Sequence, residues 1–171
     1  MGRALSENRG QGRADLAIGI ALLGLSFLLF GIKLGYWDRD ESEYAGVAHA
    51  MSQSGDFLVP RLFGKLYPDK PPLSEWFSAA SFRLLGEAEY AGRLPHVALS
   101  AGACVLVFLL GTRAFGRRSG LLAGTVLGTS LLFSIYGRLF TTDASLLFFT
   151  VLTILCLYET LDGRSGAGPC D

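Results

Sequence analysis

The sequence predicts an all-α integral membrane protein, with about four transmembrane helices and a long outer loop bearing two amphipathic juxtamembrane helices. Three observations point there. Half of the 171 residues are hydrophobic and mean hydropathy is +0.39, more apolar than a soluble domain of this size. The apolar residues are gathered in long blocks. The charged residues collect between the blocks and sum to a formal net charge of +0, so no global field recruits nucleic acid or an acidic partner.

Residues 1–15 are polar, include Arg3, Arg9 and Arg13, and read as a cytoplasmic tail. Residues 16–34 form the first span, interrupted only by Ser26 and by Lys33, whose long stem can snorkel. No small-x-small cleavage site follows; Tyr36-Trp37-Asp38-Arg39 fits an interfacial belt, so the span is read as uncleaved. Three further apolar blocks, 94–115, 120–136 and 144–161, approach the roughly 20 residues that cross a hydrocarbon core. Arg113, Arg117 and Arg118 crowd the turn between the first two of these blocks. With the arginines of the tail they set the cytoplasmic side. That places the loop 35–95 and the short link 137–143 together on the outer face of the inner (plasma) membrane. Gly120, Gly124 and Gly128 make a stripe of small residues suited to close helix packing. Residues 162–171 read as a disordered tail.

Within the outer loop, Tyr44, Val47, Ala48 and Met51 recur at helical spacing. Ser54-Gly55-Asp56 marks a turn, followed by an extended stretch through Pro60. Pro71-Pro72 excludes a helix there but can start one, and Leu73, Trp76, Phe77, Ala80 and Leu84 share one face of the segment that follows. Both helices are expected at the outer membrane surface.

An ordered series of motifs runs through these elements: Asp40-Glu41, Tyr44-Ala45, Ser54-Gly55-Asp56, Asp69-Lys70-Pro71-Pro72, Arg93-Leu94-Pro95, and Gly137-Arg138 with Asp143. Over residues 16–158 this series resembles the N-terminal part of the bacterial relatives of protein O-mannosyltransferases and lipid A aminoarabinose transferases, membrane enzymes of the GT-C class. The resemblance implies that Asp40, in the acidic pair with Glu41, is catalytic, that Lys70 contacts the carrier phosphate, and that Asp143 is a second acid. Asp69 and Tyr44 are further site candidates. Two departures stand out: Glu43 occupies a position where aminoarabinose transferases often carry Arg, and Asp69 one where they often carry Glu.

The chemistry asks for the same residue types. Transfer from a polyprenyl-phosphate-linked sugar to a lipid or protein acceptor needs a carboxylate to take the acceptor's proton, a role for Asp40. It also needs fixed positive charge on the departing phosphate, from Lys70 with Arg61 and Arg138. Plainer roles compete for the same residues. Asp40 with Glu43 fits a helix capping box, Lys70 a solvated charge, and Arg138 and Asp143 interfacial anchors. His49 and His96 read as surface or interfacial residues, and no Cys or His spacing suggests a zinc site. No cofactor motif is present, and a divalent-metal requirement is left open. Because such transferases continue for many more spans, the expectation is an incomplete GT-C fold whose activity alone is in question. The alternative is a non-catalytic membrane scaffold or subunit derived from a truncated transferase.

Overall fold

The structure is a computed structural model that describes residues 38–165 continuously and, ahead of them, residues 16, 19, 20, 24, 25, 29, 32, 33, 35 and 36. The tail 1–15, most of the first predicted span and residues 166–171 lie outside the described residues. Six helices follow in order: α1 (Arg39–Ser54), α2 (Leu73–Leu85), α3 (Glu89–Phe115), α4 (Arg117–Thr129), α5 (Leu131–Tyr136) and α6 (Asp143–Ser165). Between α1 and α2 lies an antiparallel hairpin of β1 (Arg61–Leu62) and β2 (Lys65–Leu66). Among the described residues, Glu89–Phe115 and Asp143–Asp162 are long and apolar enough to cross a membrane.

The two amphipathic helices fall where the periodicity placed them, but they bury different kinds of face. On α1 the apolar stripe turns inward: Tyr44, Val47, Ala48 and Met51 pack with Ala79 and Phe82 of α2, Ala91 of α3 and Phe140. On α2 the inward face is mixed, with Ser74, Glu75, Ser78 and Ser81 buried alongside Ala79 and Phe82, while Trp76 and Leu84 stay exposed. That arrangement suits a helix whose outer surroundings include lipid, provided the buried hydroxyls find partners. They do. The Ser78 hydroxyl donates to the Gly92 carbonyl (2.8 Å), and the Ser81 hydroxyl to the Ala91 carbonyl (2.6 Å). The second bond has a clear cause: Pro95 lies inside α3 and has no N–H for the carbonyl four residues earlier, which Ser81 satisfies instead.

Several boundaries differ from the sequence reading. The long helix α3 begins at Glu89 rather than at residue 94, carrying Arg93 and His96 into its buried face. His96 is therefore not a surface residue: it is fully buried, against Phe140 and within 3.1 Å of the Ser78 hydroxyl. The block 120–136 is not one helix but two, α4 and α5, parted at Ser130, whose backbone is extended (φ −64, ψ 125). Just before the break, the Thr129 hydroxyl bonds back to the Thr125 carbonyl, a competition with the helix that Ser and Thr commonly provide. At the other end α6 continues to Ser165, into the segment read as a tail.

The glycine stripe does pack closely. Gly120, Gly124 and Gly128 are the buried residues of α4, and they face α3. A Cβ on Gly120 would stand 2.5 Å from the Phe108 carbonyl oxygen, whereas one on Gly128 would meet nothing nearer than 3.6 Å. Gly120→Ala should therefore destabilise the fold by about 1–3 kcal/mol through overpacking, while Gly128→Ala is neutral. Unfolding of both variants in detergent, followed by circular dichroism, checks the contrast.

Candidate active site

The site is organised around a buried ion pair. Glu41 of α1 is fully buried, and Arg93 of α3 grips it with two bonds: Nε to Oε1 at 2.6 Å and Nη2 to Oε2 at 2.8 Å. The Phe140 amide adds a third bond to Oε1, at 3.0 Å. Arg93 also donates to the carbonyls of Ile32 (3.2 Å) and Gly35 (3.1 Å). One charge pair thus joins the end of the opening segment, α1, α3 and the loop after α5. Glu41, expected beside Asp40 as a catalytic acid, is instead enclosed and committed to Arg93. The cause is helical geometry: adjacent residues on a helix point about 100° apart, so only one of the two acids can face the core.

Asp40 is exposed in the first turn of α1. It is not the helix cap: Asp38 holds that position, and no side chain caps this end. Farther along the same helix, the Tyr44 phenol is buried. Desolvation pushes that phenol up to about 12, reinforced by the negative charges of Asp40, Asp69, Glu75 and Asp143. Asp40, Asp69 and Asp143, on α1, the loop before α2 and the start of α6, thus all act electrostatically on Tyr44. Among the described residues no three His, Cys, Asp or Glu side chains group closely enough to hold a metal ion.

Between the start of α2 and the start of α6 runs a mostly apolar cleft of about 390 Å³, lined by Pro71, Leu73, Ser74, Thr142, Ser145, Leu146 and Phe149. Its two walls are pinned by the Ser74 and Ser145 hydroxyls, 2.6 Å apart. Lys70 is exposed and immediately precedes Pro71 on one wall; Asp143 immediately follows Thr142 on the other. Arg61 is exposed on β1, and Arg138 is half-buried next to the buried Leu139. Glu43, the departure from the family pattern, is tied to its own helix and to the stretch after the hairpin. It accepts from Arg39 Nε (2.8 Å) and from the Tyr67 hydroxyl (2.9 Å), and those hydrogen bonds hold its carboxyl below its ordinary pKa.

The sequence reading left two residues without a role. Arg93 was noted only as part of a motif, although Glu41 lies on the same helix stripe as Tyr44, Ala45 and Ala48, and an acid on an apolar stripe requires a partner. Glu75 was passed over, although it falls in register with Ser78, Ala79 and Phe82. It is 3% exposed, and burial raises its pKa.

Long apolar helices packed with shorter ones, with an apolar cleft at their junction, fit the membrane glycosyltransferase architecture termed GT-C. Crystal structures of ArnT from Cupriavidus metallidurans share this fold. The form bound to undecaprenyl phosphate superposes with a TM-score of 0.73 at 23% identity, covering 84% of this chain and 26% of that one. The apo form gives 0.72 at 21%, covering 86% and 27%. The chain belongs to the dolichyl-phosphate-mannose-protein mannosyltransferase family, whose profile matches residues 69–167, more than half its length. It is 32% identical over 154 residues to the undecaprenyl phosphate-alpha-4-amino-4-deoxy-L-arabinose arabinosyl transferase of Yersinia enterocolitica, covering 90% of this chain and 27% of the relative. The enzyme of the same name in Pectobacterium carotovorum is 36% identical over 119 residues, covering 69% and 21%. The chain spans about a quarter of the length of these relatives.

Two outcomes follow from the geometry. Arg93→Ala strands the Glu41 charge and should cost about 3–5 kcal/mol, seen as loss of folded protein in detergent; Asp40→Asn, at an exposed position, should leave stability unchanged. A raised pKa at Glu75 means that the folded chain keeps a proton which the unfolded chain has already lost. Stability from the neutral carboxyl is full below the ordinary Glu value and falls as pH rises through the folded value. Melting temperature against pH should show this slope, and Glu75→Gln should remove it.

Proposed function

We propose that the chain forms the donor-binding and catalytic part of a membrane glycosyltransferase that moves a sugar from a polyprenyl-phosphate carrier to an acceptor on the outer face of the inner membrane. The observation that supports this reading most directly is the apolar cleft between the start of α2 and the start of α6, with Lys70 next to one wall and Asp143 next to the other. The apolar cleft suits the first isoprenyl units of the carrier. Lys70 then lies at the carrier's phosphate, with Arg61 and Arg138 as further candidate clamps. The relatives' names specify undecaprenyl phosphate and 4-amino-4-deoxy-L-arabinose, which makes an amino pentose the first sugar to test.

In this mechanism the acceptor hydroxyl attacks the anomeric carbon of the donor while its proton passes to the Asp40 carboxylate. The bond between that carbon and the phosphate oxygen breaks, and its electron pair stays on the phosphate. Lys70 stabilises the charge that builds there. Asp143 and Asp69 flank the sugar, and Glu41 holds the platform in place through Arg93.

Transfer is measured by reconstituting the chain in proteoliposomes with radiolabelled undecaprenyl-phosphate sugar and following carrier release. Asp40→Asn should lower turnover about 10²–10⁴-fold with carrier binding unchanged. Lys70→Ala should weaken carrier binding by about 1.5–3 kcal/mol. Turnover that survives Asp40→Asn removes Asp40 as the base. Carrier binding without any transfer favours the scaffold or subunit reading. Accessibility tags between residues 55 and 70 test the outer placement of the platform, and a cytoplasmic location would overturn the site.

A further inference from the structure

The hairpin between α1 and α2 turns an apolar side outward: Leu58 is 84%, Phe63 93% and Leu66 62% exposed. Register explains the display. Partners across an antiparallel pair share a face, so Leu62 and Lys65 lie on one side, Arg61 and Leu66 on the other. Leu62 packs onto α1, so close to Gly46 that an added Cβ there would stand 2.8 Å from its Cδ1. Arg61 and Leu66 are left on the side away from α1. Phe63 and Gly64 form the turn, both at positive φ (50° and 78°). Gly adopts that backbone freely, whereas the Cβ of Phe crowds the following carbonyl. The turn thus carries a strained aromatic that contributes almost nothing to the fold's own packing.

The loop is held in place at its base. The Tyr67 amide donates to the Pro60 carbonyl (2.9 Å), the Trp76 indole N–H to the Phe57 carbonyl (2.6 Å) and the Tyr67 hydroxyl to Glu43 (2.9 Å). The cleft indicates its height. Pro71, five residues beyond Leu66, lines it together with Leu146 and Phe149, in the first two turns of α6. The loop therefore ends against the start of an apolar helix long enough to span, where hydrocarbon gives way to headgroups. From Phe57 to Pro68 the charged residues are Arg61 and Lys65, both exposed, with no Asp or Glu among them. Asp56, just before, accepts from the Leu58 and Val59 amides (3.0 and 3.2 Å). Exposed apolar side chains beside cations match a surface that is negative at its face and apolar beneath, as anionic phospholipid is. A second copy meeting this tip with its own would set like charges together.

We propose that the hairpin is an interfacial anchor: Leu58, Phe63 and Leu66 enter the boundary between headgroups and acyl chains, and Arg61 and Lys65 bind anionic phospholipid headgroups. Burial of the Phe63 ring in lipid offsets the strain of its backbone. The anchor requires that the chain lie in a membrane and does not depend on sugar transfer.

Phe63→Trp in nanodiscs tests it, the added indole being read as the difference in fluorescence from the unmodified chain. The nanodiscs are phosphatidylcholine containing either brominated phosphatidylglycerol or brominated phosphatidylcholine as quencher. The difference emission should be blue-shifted and quenched by both lipids, more strongly by phosphatidylglycerol. Lys65→Gln, a change outside the proposed transfer step, should lower that preference about fivefold. Water-like emission that neither brominated lipid quenches overturns the anchor. Blue-shifted emission without quenching also overturns it, in favour of a protein partner such as a second copy. Equal quenching by the two lipids, or a preference that Lys65→Gln leaves unchanged, overturns the assignment of the cations to anionic headgroups.

Discussion

The pairing of Arg93 with Glu41 ties together four stretches of the chain: the end of the opening segment, α1, α3 and the loop after α5. The carboxylate receives three hydrogen bonds and the guanidinium donates four, so both charges are well compensated despite lying out of water. The Phe140 amide gives the pair its bearing on function. It draws the loop after α5 down onto α1, and that loop leads directly into Asp143. The placement of Asp143 relative to α1 is thus tied to that buried contact.

The two platform helices bury different faces. A helix on a soluble protein buries its apolar face, and α1 does so. Here α2 shows Trp76 and Leu84 outward and hides serines beside Ala79 and Phe82. The inward serines replace a hydrophobic contact with specific bonds. One of them repairs the carbonyl that Pro95 leaves open, so the proline and the serine form a matched set across two helices.

Much of the architecture was legible in the sequence, for physical reasons that differ between elements. The periodicity of α1 and the breaking power of Pro71-Pro72 fixed the helices of the platform to within a residue or two. The glycine stripe foretold the close approach of α3 and α4. The burial of polar residues, by contrast, was not foreseen. Glu41, Glu75, Arg93 and His96 are all buried, and nothing local to a polar residue states whether a partner waits elsewhere in the chain. The helical register of Glu41 and Glu75 with apolar or small neighbours held that information. The break at Ser130 was hidden too, because hydropathy averages over a window and does not register one extended residue.

That break bears on the bilayer itself. At 1.5 Å per residue the 13 residues of α4 rise only about 20 Å, against roughly 30 Å of hydrocarbon. Carbonyls released at an interruption need protein or water as partners, and α5 continues for six residues past Ser130. Neither piece matches the hydrocarbon thickness by itself, so this flank is two short rods joined at an extended residue.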